Sequence, residues 1–153
     1  MNKKFIALIK PVAVALSVIA LTACGGNTTT QDDAKTSATA TFPITIKNNG
    51  ADVVIAEKPA AIISLSPTAT EMLFAIGAGS QVIAVDDQSN YPADAPKSDL
   101  SGFTPNVEAI VAKKPDLVVI SNDIDNLVAS LQAANVPVLL ETAATNLDET
   151  YGQ

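Results

Sequence analysis

The amino-acid sequence predicts an α/β fold: an open, mainly parallel sheet with helices on both faces, preceded by a small β-hairpin. Three observations carry this expectation. Short apolar runs recur at Ile62-Ile63-Ser64-Leu65, Val82-Ile83-Ala84-Val85, Leu117-Val118-Val119-Ile120 and Val136 to Leu140. Runs of that kind, apolar on both faces, are what parallel strands covered by helices require. The segments between them carry apolar residues at helical spacing. Finally, Asn48-Asn49-Gly50 separates Ile44-Thr45-Ile46 from Val53-Val54-Ile55, and Asn-Gly supplies the positive φ of a tight hairpin turn.

Taken in order, residues 1–23 read as a lipoprotein signal peptide, not as part of a fold. Lys3, Lys4 and Lys10 form a positive start, and the run from Val12 to Leu21 carries no charge. That run is shorter than the roughly 20 apolar residues a bilayer span needs but suits a signal h-region. It ends in Leu21-Thr22-Ala23-Cys24, which matches the bacterial lipobox, so Cys24 is the expected lipid-attachment residue. Residues 24–41 hold no large apolar side chain after Cys24 and read as a flexible tether. Loss of three lysines with the signal makes the mature chain still more acidic than the formal charge of −7. Its hold on a membrane should therefore come from acyl chains and not from lysines on lipid head groups.

The folded part follows the hairpin. Pro59 precedes the strand Ile62 to Leu65. A helix comes next, with Thr68 and Glu71 spaced as a capping box, Ala69, Leu73 and Ile76 on one face, and Gly77 and Gly79 at its end. After the strand Val82 to Val85, residues Asp86 to Gly102 read as a polar loop. A second helix carries Val107, Ile110 and Val111, with Lys113 and Lys114 in its last turn and Pro115 stopping it. The strand Leu117 to Ile120 leads to a third helix, capped by Asn122 or Asp123, with Ile124, Leu127, Val128 and Leu131 as its apolar stripe. Lys58-Pro59 and Lys114-Pro115 each introduce a strand, a capped start and a helix, a weak internal repeat of the βαβ unit. After the last strand, Asn146 and Glu149 look like a cap and its N3 partner. They open a helix that has barely begun at Gln153, so the sequence reads as interrupted there.

Composition excludes several functions. The 153 residues contain no histidine, all nine basic residues are lysines, and there is one cysteine. Nucleophile systems that need an imidazole base are absent, as are histidine metal sites and the bidentate forks of arginine. The acidic balance disfavours nucleic acid. No enzyme activity and no resident cofactor or metal is expected.

A ligand in such a sheet binds beyond the carboxyl ends of the strands. Those ends are Ser64 to Pro67, Asp86 to Gln88, Ser121-Asn122 and Glu141-Thr142, polar and without a glycine-rich phosphate loop. Asp86 and Asp87 have no third ligand nearby and read as solvated loop acids. Tyr91 and Phe103 lie in the loop at this end; they either stack on a planar ligand or plug the edge of the core.

The stretch from Ile62 through Ser66-Pro67-Thr68-Ala69-Thr70-Glu71 to Gly77-Ala78-Gly79 resembles the iron-siderophore and cobalamin family of solute-binding proteins of ABC importers. Asn90-Tyr91-Pro92, Pro105-Asn106-Val107-Glu108-Ala109-Ile110 and Lys114-Pro115-Asp116-Leu117-Val118 extend the similarity over residues 42–151. The resemblance implies two α/β lobes joined by one long helix, with the ligand in the cleft between them. Residues 42–145 match the first lobe, and residues 146–153 fall where the interlobe helix should start. It implies that Glu71 docks on basic residues of the permease; by position alone the same side chain could be only a helix cap. Carried over, the ligand-cleft residues are Ser66, Asp87, Gln88, Phe103, Thr104, Ser121 and Asn122. The cargo implied is an iron chelate or a cobalamin-like corrinoid, and the lack of arginine fits neutral or cationic chelates better than anionic ferric catecholates. The expected protein is a monomer on the outer side of the cell membrane, held by its lipid. The alternative is a one-lobe tethered scaffold or sensor without a transport role.

Overall fold

The computed structural model describes residues 40–152. Cys24 and the signal peptide, with most of the tether, lie outside the described residues. Two short strands come first, β1 (Ile44–Asn48) and β2 (Ala51–Ile55). They pair antiparallel with Asn48 opposite Ala51. Asn49 and Gly50 between them have φ of 49° and 79°, the double positive φ of a type I′ turn.

A five-stranded sheet follows, built from β3 (Ile62–Leu65), β4 (Val82–Asp86), β5 (Lys97–Leu100), β6 (Leu117–Ile120) and β7 (Val138–Leu140). Its spatial order is β5-β4-β3-β6-β7, and every neighbouring pair is parallel. The helices are α1 (Pro67–Ala75), α2 (Val107–Ala112), α3 (Leu127–Ala133) and α4 (Leu147–Gly152). The fold class is the expected one. The alternation of the strands sorts the core onto the two sheet faces. Ile63, Leu65, Val118 and Ile120 pack with Ile110 of α2 and Leu127 and Leu131 of α3. On the opposite face Ile62, Leu117 and Val119 meet Ala69 of α1 and Val53 and Ile55 of the hairpin. Each fully buried Ile or Leu contributes roughly 1.5–3 kcal/mol.

The hairpin is tied to the outer strand by asparagine. Asn48 Oδ1 accepts the Leu140 N–H at 2.8 Å, and its Nδ2 donates to the Leu140 carbonyl at 3.3 Å and to Glu141 Oε1 at 3.1 Å. At the amino ends of the central strands the repeated Lys-Pro steps lie side by side. Asp116 accepts from the backbone N–H groups of Ala60 and Ala61 at 2.8–3.1 Å, and its own N–H donates to the Ala61 carbonyl at 2.9 Å.

Several local expectations need correction. The first helix starts two residues earlier than the Thr68 cap requires. Ser66 is its N-cap, with Pro67 in the first turn and the Ser66 hydroxyl accepting from Ala69 N–H at 3.5 Å. Proline tolerates the first turn because its missing N–H would have no partner there. Thr68 and Glu71 therefore form no capping box. Ile76, expected on the buried face, is 78% exposed; the side chain that α1 buries beside Ala69 is Thr70. The end of α1 is as expected: Gly77 has φ 83° and donates to the Phe74 carbonyl, while Ala78 donates to Leu73. This is a Schellman closure, in which glycine accepts the left-handed conformation.

Residues Asp86 to Gly102 are not all loop, since Lys97–Leu100 form the edge strand β5. Its charged sequence suits an edge and hides it from hydrophobic pattern reading. Lys113 and Lys114 sit just past α2, not inside it. The third helix is broken at its start, because Asp125 and Asn126 have φ of 53° and 55° and separate a 3₁₀ turn at Ile124–Asn126 from α3. The last strand is shorter than expected, beginning at Val138.

Candidate functional site

The chain runs outward from β3 to β4 and β5, then crosses back to β6 and β7. The connections leaving β3 and β6 diverge, and a crevice opens between their carboxyl ends, where ligands bind in sheets of this kind. A cavity of about 350 Å³ lies there, lined by Leu65, Pro67, Asp86, Gln88, Gly102, Phe103, Ser121 and Asn122.

Each wall has a local cause. Leu65 ends β3 and Pro67 opens α1, with the Ser66 cap between them. Asp86 ends β4, and Gln88 follows it. Phe103 is set by Ser101, whose hydroxyl accepts the N–H groups of Phe103 and Thr104, both at 3.2 Å. The Phe103 ring is 67% exposed and stands at the cavity rim. Ser121 and Asn122 follow β6, with Asn122 Nδ2 donating to Ser121 Oγ at 3.2 Å. Gly102 is required by close approach: a Cβ there would stand 2.5 Å from the Leu65 carbonyl oxygen.

Of the expected cleft residues, Gln88, Phe103, Ser121 and Asn122 are brought together around this cavity. Ser66, Asp87 and Thr104 are not among its walls. Ser66 is buried as the helix cap, and Asp87 and Thr104 face solvent. Tyr91 is exposed and away from the cavity lining, so neither aromatic plugs the core edge. Leu65, Pro67 and Asp86 fall within the strand ends expected to meet a ligand but were not among the carried-over cleft residues, and Gly102 was missed. The expectation for Asp86 is reversed: it is buried, not a solvated loop acid. Its position directly after the Val82–Val85 run was the available signal, since the last residue of a covered strand faces a core or a site.

Beneath the cavity lies a buried polar cluster of Ser64, Ser66, Thr70, Asp86 and Ser89. Thr70 Oγ1 is 2.9 Å from Ser64 Oγ, 2.9 Å from Ser89 Oγ and 3.0 Å from the Ser66 carbonyl oxygen. Among the described residues, no buried side-chain oxygen or nitrogen lacks a partner, and no group of three or more Cys, Asp or Glu side chains is placed to hold a metal ion. Nor is any helix among them long and apolar enough to cross a membrane. Glu71 projects into solvent from the middle of α1.

The family profile of the periplasmic binding proteins matches residues 62–150, the sheet and the cavity together. The chain belongs to the periplasmic binding protein family. YvrC of Bacillus subtilis, named an uncharacterized ABC transporter substrate-binding lipoprotein, is 32% identical over 146 residues, covering 91% of this chain and 46% of the relative. The cobalamin-binding protein of Halobacterium salinarum is 30% identical over 113 residues, covering 70% of this chain and 31% of the relative. A solved structure, a possible iron-binding periplasmic solute-binding protein of Staphylococcus epidermidis, aligns with a TM-score of 0.56 at 32% identity over 62% of this chain and 39% of that one. The chain thus spans less than half the length of each of these periplasmic binding proteins.

Proposed function

We propose that residues 42–145 are one wall of the ligand cleft in the solute-binding component of an ABC importer, and that the cargo is an iron chelate or a cobalamin-like corrinoid. The observation that carries this is the 350 Å³ cavity at the switch point of the sheet, in a chain of this family. Its lining supports the ligand class. Phe103 offers a π-face to a planar or bulky chelate, Gln88 and Asn122 offer neutral amides, and no basic side chain is present to receive a strongly anionic one. The names of the halobacterial and staphylococcal relatives point to the same two cargo classes.

In this reading Cys24 carries the lipid anchor, supported by the lipobox and by the lipoprotein name of YvrC. Residues 24–41 are the tether, and α4 with residues 146–153 begins the connection to a facing lobe. Glu71 meets a basic residue of the permease. With Ser66 capping α1, the carboxylate of Glu71 has no capping duty. Such a charge steers encounter and orientation more than it adds affinity.

Calorimetry with cyanocobalamin and a ferric trihydroxamate tests the cargo. One wall leaves much of a ligand wet, so weak binding to one of the two is expected, lowered further by Phe103→Ala. Binding to neither would overturn the cargo assignment. Metabolic labelling with a fatty-acid probe tests Cys24: wild type should be labelled and Cys24→Ser should not.

A further inference from the structure

The cavity holds one ionisable group, and it is not exposed. Asp86 is 2% exposed at the carboxyl end of β4. Its two oxygens have different surroundings. Oδ1 accepts the Ser89 N–H at 3.1 Å and the Ser89 hydroxyl proton. Ser89 Oγ in turn lies 2.9 Å from Thr70 Oγ1, which lies 2.9 Å from Ser64 Oγ. This buried line of hydroxyls fixes the carboxylate in one orientation. Oδ2 has no hydrogen-bond partner among the described residues. It lies on the side of Gly102, where a Cβ would approach it to 3.2 Å, and both residues line the cavity.

Since no fully buried side-chain oxygen among the described residues lacks a partner, Oδ2 keeps its access to solvent on the cavity side, an open acceptor on a carboxylate held in one orientation. A ligand bringing a donor to that point would take the place of water on a pre-oriented acceptor, and a ligand bringing an anion would add repulsion against a charge screened less than in bulk water. No lysine among the cavity walls offsets the charge. We propose that Asp86 Oδ2 is the specificity-determining group of this cavity, accepting an ammonium or amide N–H from the ligand and turning away ligands that present negative oxygens there. The proposal rests on the cavity being the cargo site. The donor chemistry is shared by the ammonium arm of a cationic hydroxamate chelate and by the primary amides of a corrinoid, and the test separates them.

Three probes are titrated calorimetrically into the chain and into Asp86→Asn: iron-loaded desferrioxamine B, its N-acetylated analogue without the positive charge, and cyanocobalamin. Asparagine can still accept from Ser89 through its carbonyl oxygen while placing an N–H where Oδ2 was. For a chelate cargo, wild type should prefer the ammonium form over the acetylated form by roughly tenfold to a hundredfold, the range of a hydrogen bond between charged groups. Asp86→Asn should erase that preference. For a corrinoid cargo, cyanocobalamin binds and Asp86→Asn weakens it roughly tenfold. Equal affinity of wild type for the two chelates, in a protein that binds both, overturns the proposal without any variant, even if Asp86→Asn fails to fold. Cyanocobalamin binding unchanged in a folded Asp86→Asn protein also overturns it, and in both cases the cargo reading stands. Binding of no probe overturns the cargo reading, and the proposal with it.

Discussion

At the amino ends of β3 and β6, Asp116 reaches across to the neighbouring strand start, and both of its oxygens accept backbone N–H groups of Ala60 and Ala61. At the carboxyl ends of the same sheet, Asp86 gives one oxygen to Ser89 and leaves the other open to the cavity. The first aspartate is exposed and fully paired; the second is buried and half paired. The open acceptor is at the end where parallel sheets hold ligands. A structural carboxylate is satisfied by its own chain, whereas a recognition carboxylate leaves an acceptor for something else, and the surrounding fold must hold it in place meanwhile.

The strongest way to break this contrast is to cut the support under Asp86. Thr70→Val keeps the shape of a buried side chain and removes the hydroxyl between Ser64 and Ser89. Stability should fall by about 1–3 kcal/mol, the cost of leaving buried polar partners unmatched, read as a lower urea midpoint. Any ligand preference set by Asp86 should weaken too. An unchanged midpoint would show that the hydroxyl line supports nothing.

Asp116→Ala is the matched change at the other end. Solvent can replace part of what is lost there, so about 1 kcal/mol is expected. Affinity for whichever probe binds should not move. A drop in affinity without a drop in stability would mean that the two ends of the sheet are not separable in the way the pairing suggests.

The contrast also marks what could be read from the sequence. The apolar strands, the Asn49-Gly50 turn and the Gly77 helix stop follow from local chemistry, because each is enforced by residues within a few positions. Gln88, Ser121 and Asn122 lie at the expected strand ends, and with Phe103 they were singled out through the family resemblance. The buried partnership of Thr70, Ser89 and Asp86 was not legible. Thr70 looks like an ordinary helix-start residue, and Ser89 and Asp86 look like loop residues, until three elements are brought together. The Ser66-Pro67 start of α1 was legible, since serine before a first-turn proline is a cap signal, but the Thr68/Glu71 spacing imitated a capping box two residues later. The strand β5 was hidden because an edge strand with Lys97, Ser98 and Asp99 has no apolar run to show.

Glu71 sharpens the comparison from a third position: an exposed acid with, among the described residues, neither a backbone partner for its carboxylate nor a cavity. With Ser66 as the cap, Glu71→Gln should change stability by less than about 0.5 kcal/mol and leave probe binding intact. If Glu71 docks on a permease as proposed, uptake should slow, most visibly at low salt. Wild-type uptake by Glu71→Gln at every salt concentration would remove Glu71 from the docking surface.

The smallest effect concerns Glu149, a second carboxylate satisfied by its own chain. Its Oε2 accepts the Thr145 N–H at 2.7 Å and the Thr145 hydroxyl at 2.8 Å, while its own N–H donates to Asn146 Oδ1 at 3.0 Å. This is reciprocal capping, reaching one residue further back than the standard box. The Thr145 backbone donor, then the Thr145 hydroxyl, hold the carboxyl below the usual glutamate range. The charged form is therefore the one the folded helix end prefers. Its stabilising contribution is complete above the ordinary glutamate pKa and is lost as pH falls through the lowered value. Because α4 is exposed, the consequence is local: the Thr145 amide proton should shift and exchange faster on acid titration while the sheet amides stay protected. In Glu149→Gln that acid step should disappear, since a neutral amide can accept from Thr145 but cannot titrate. A Thr145 amide indifferent to acid in the wild-type protein would show that the capping contact does not form in solution.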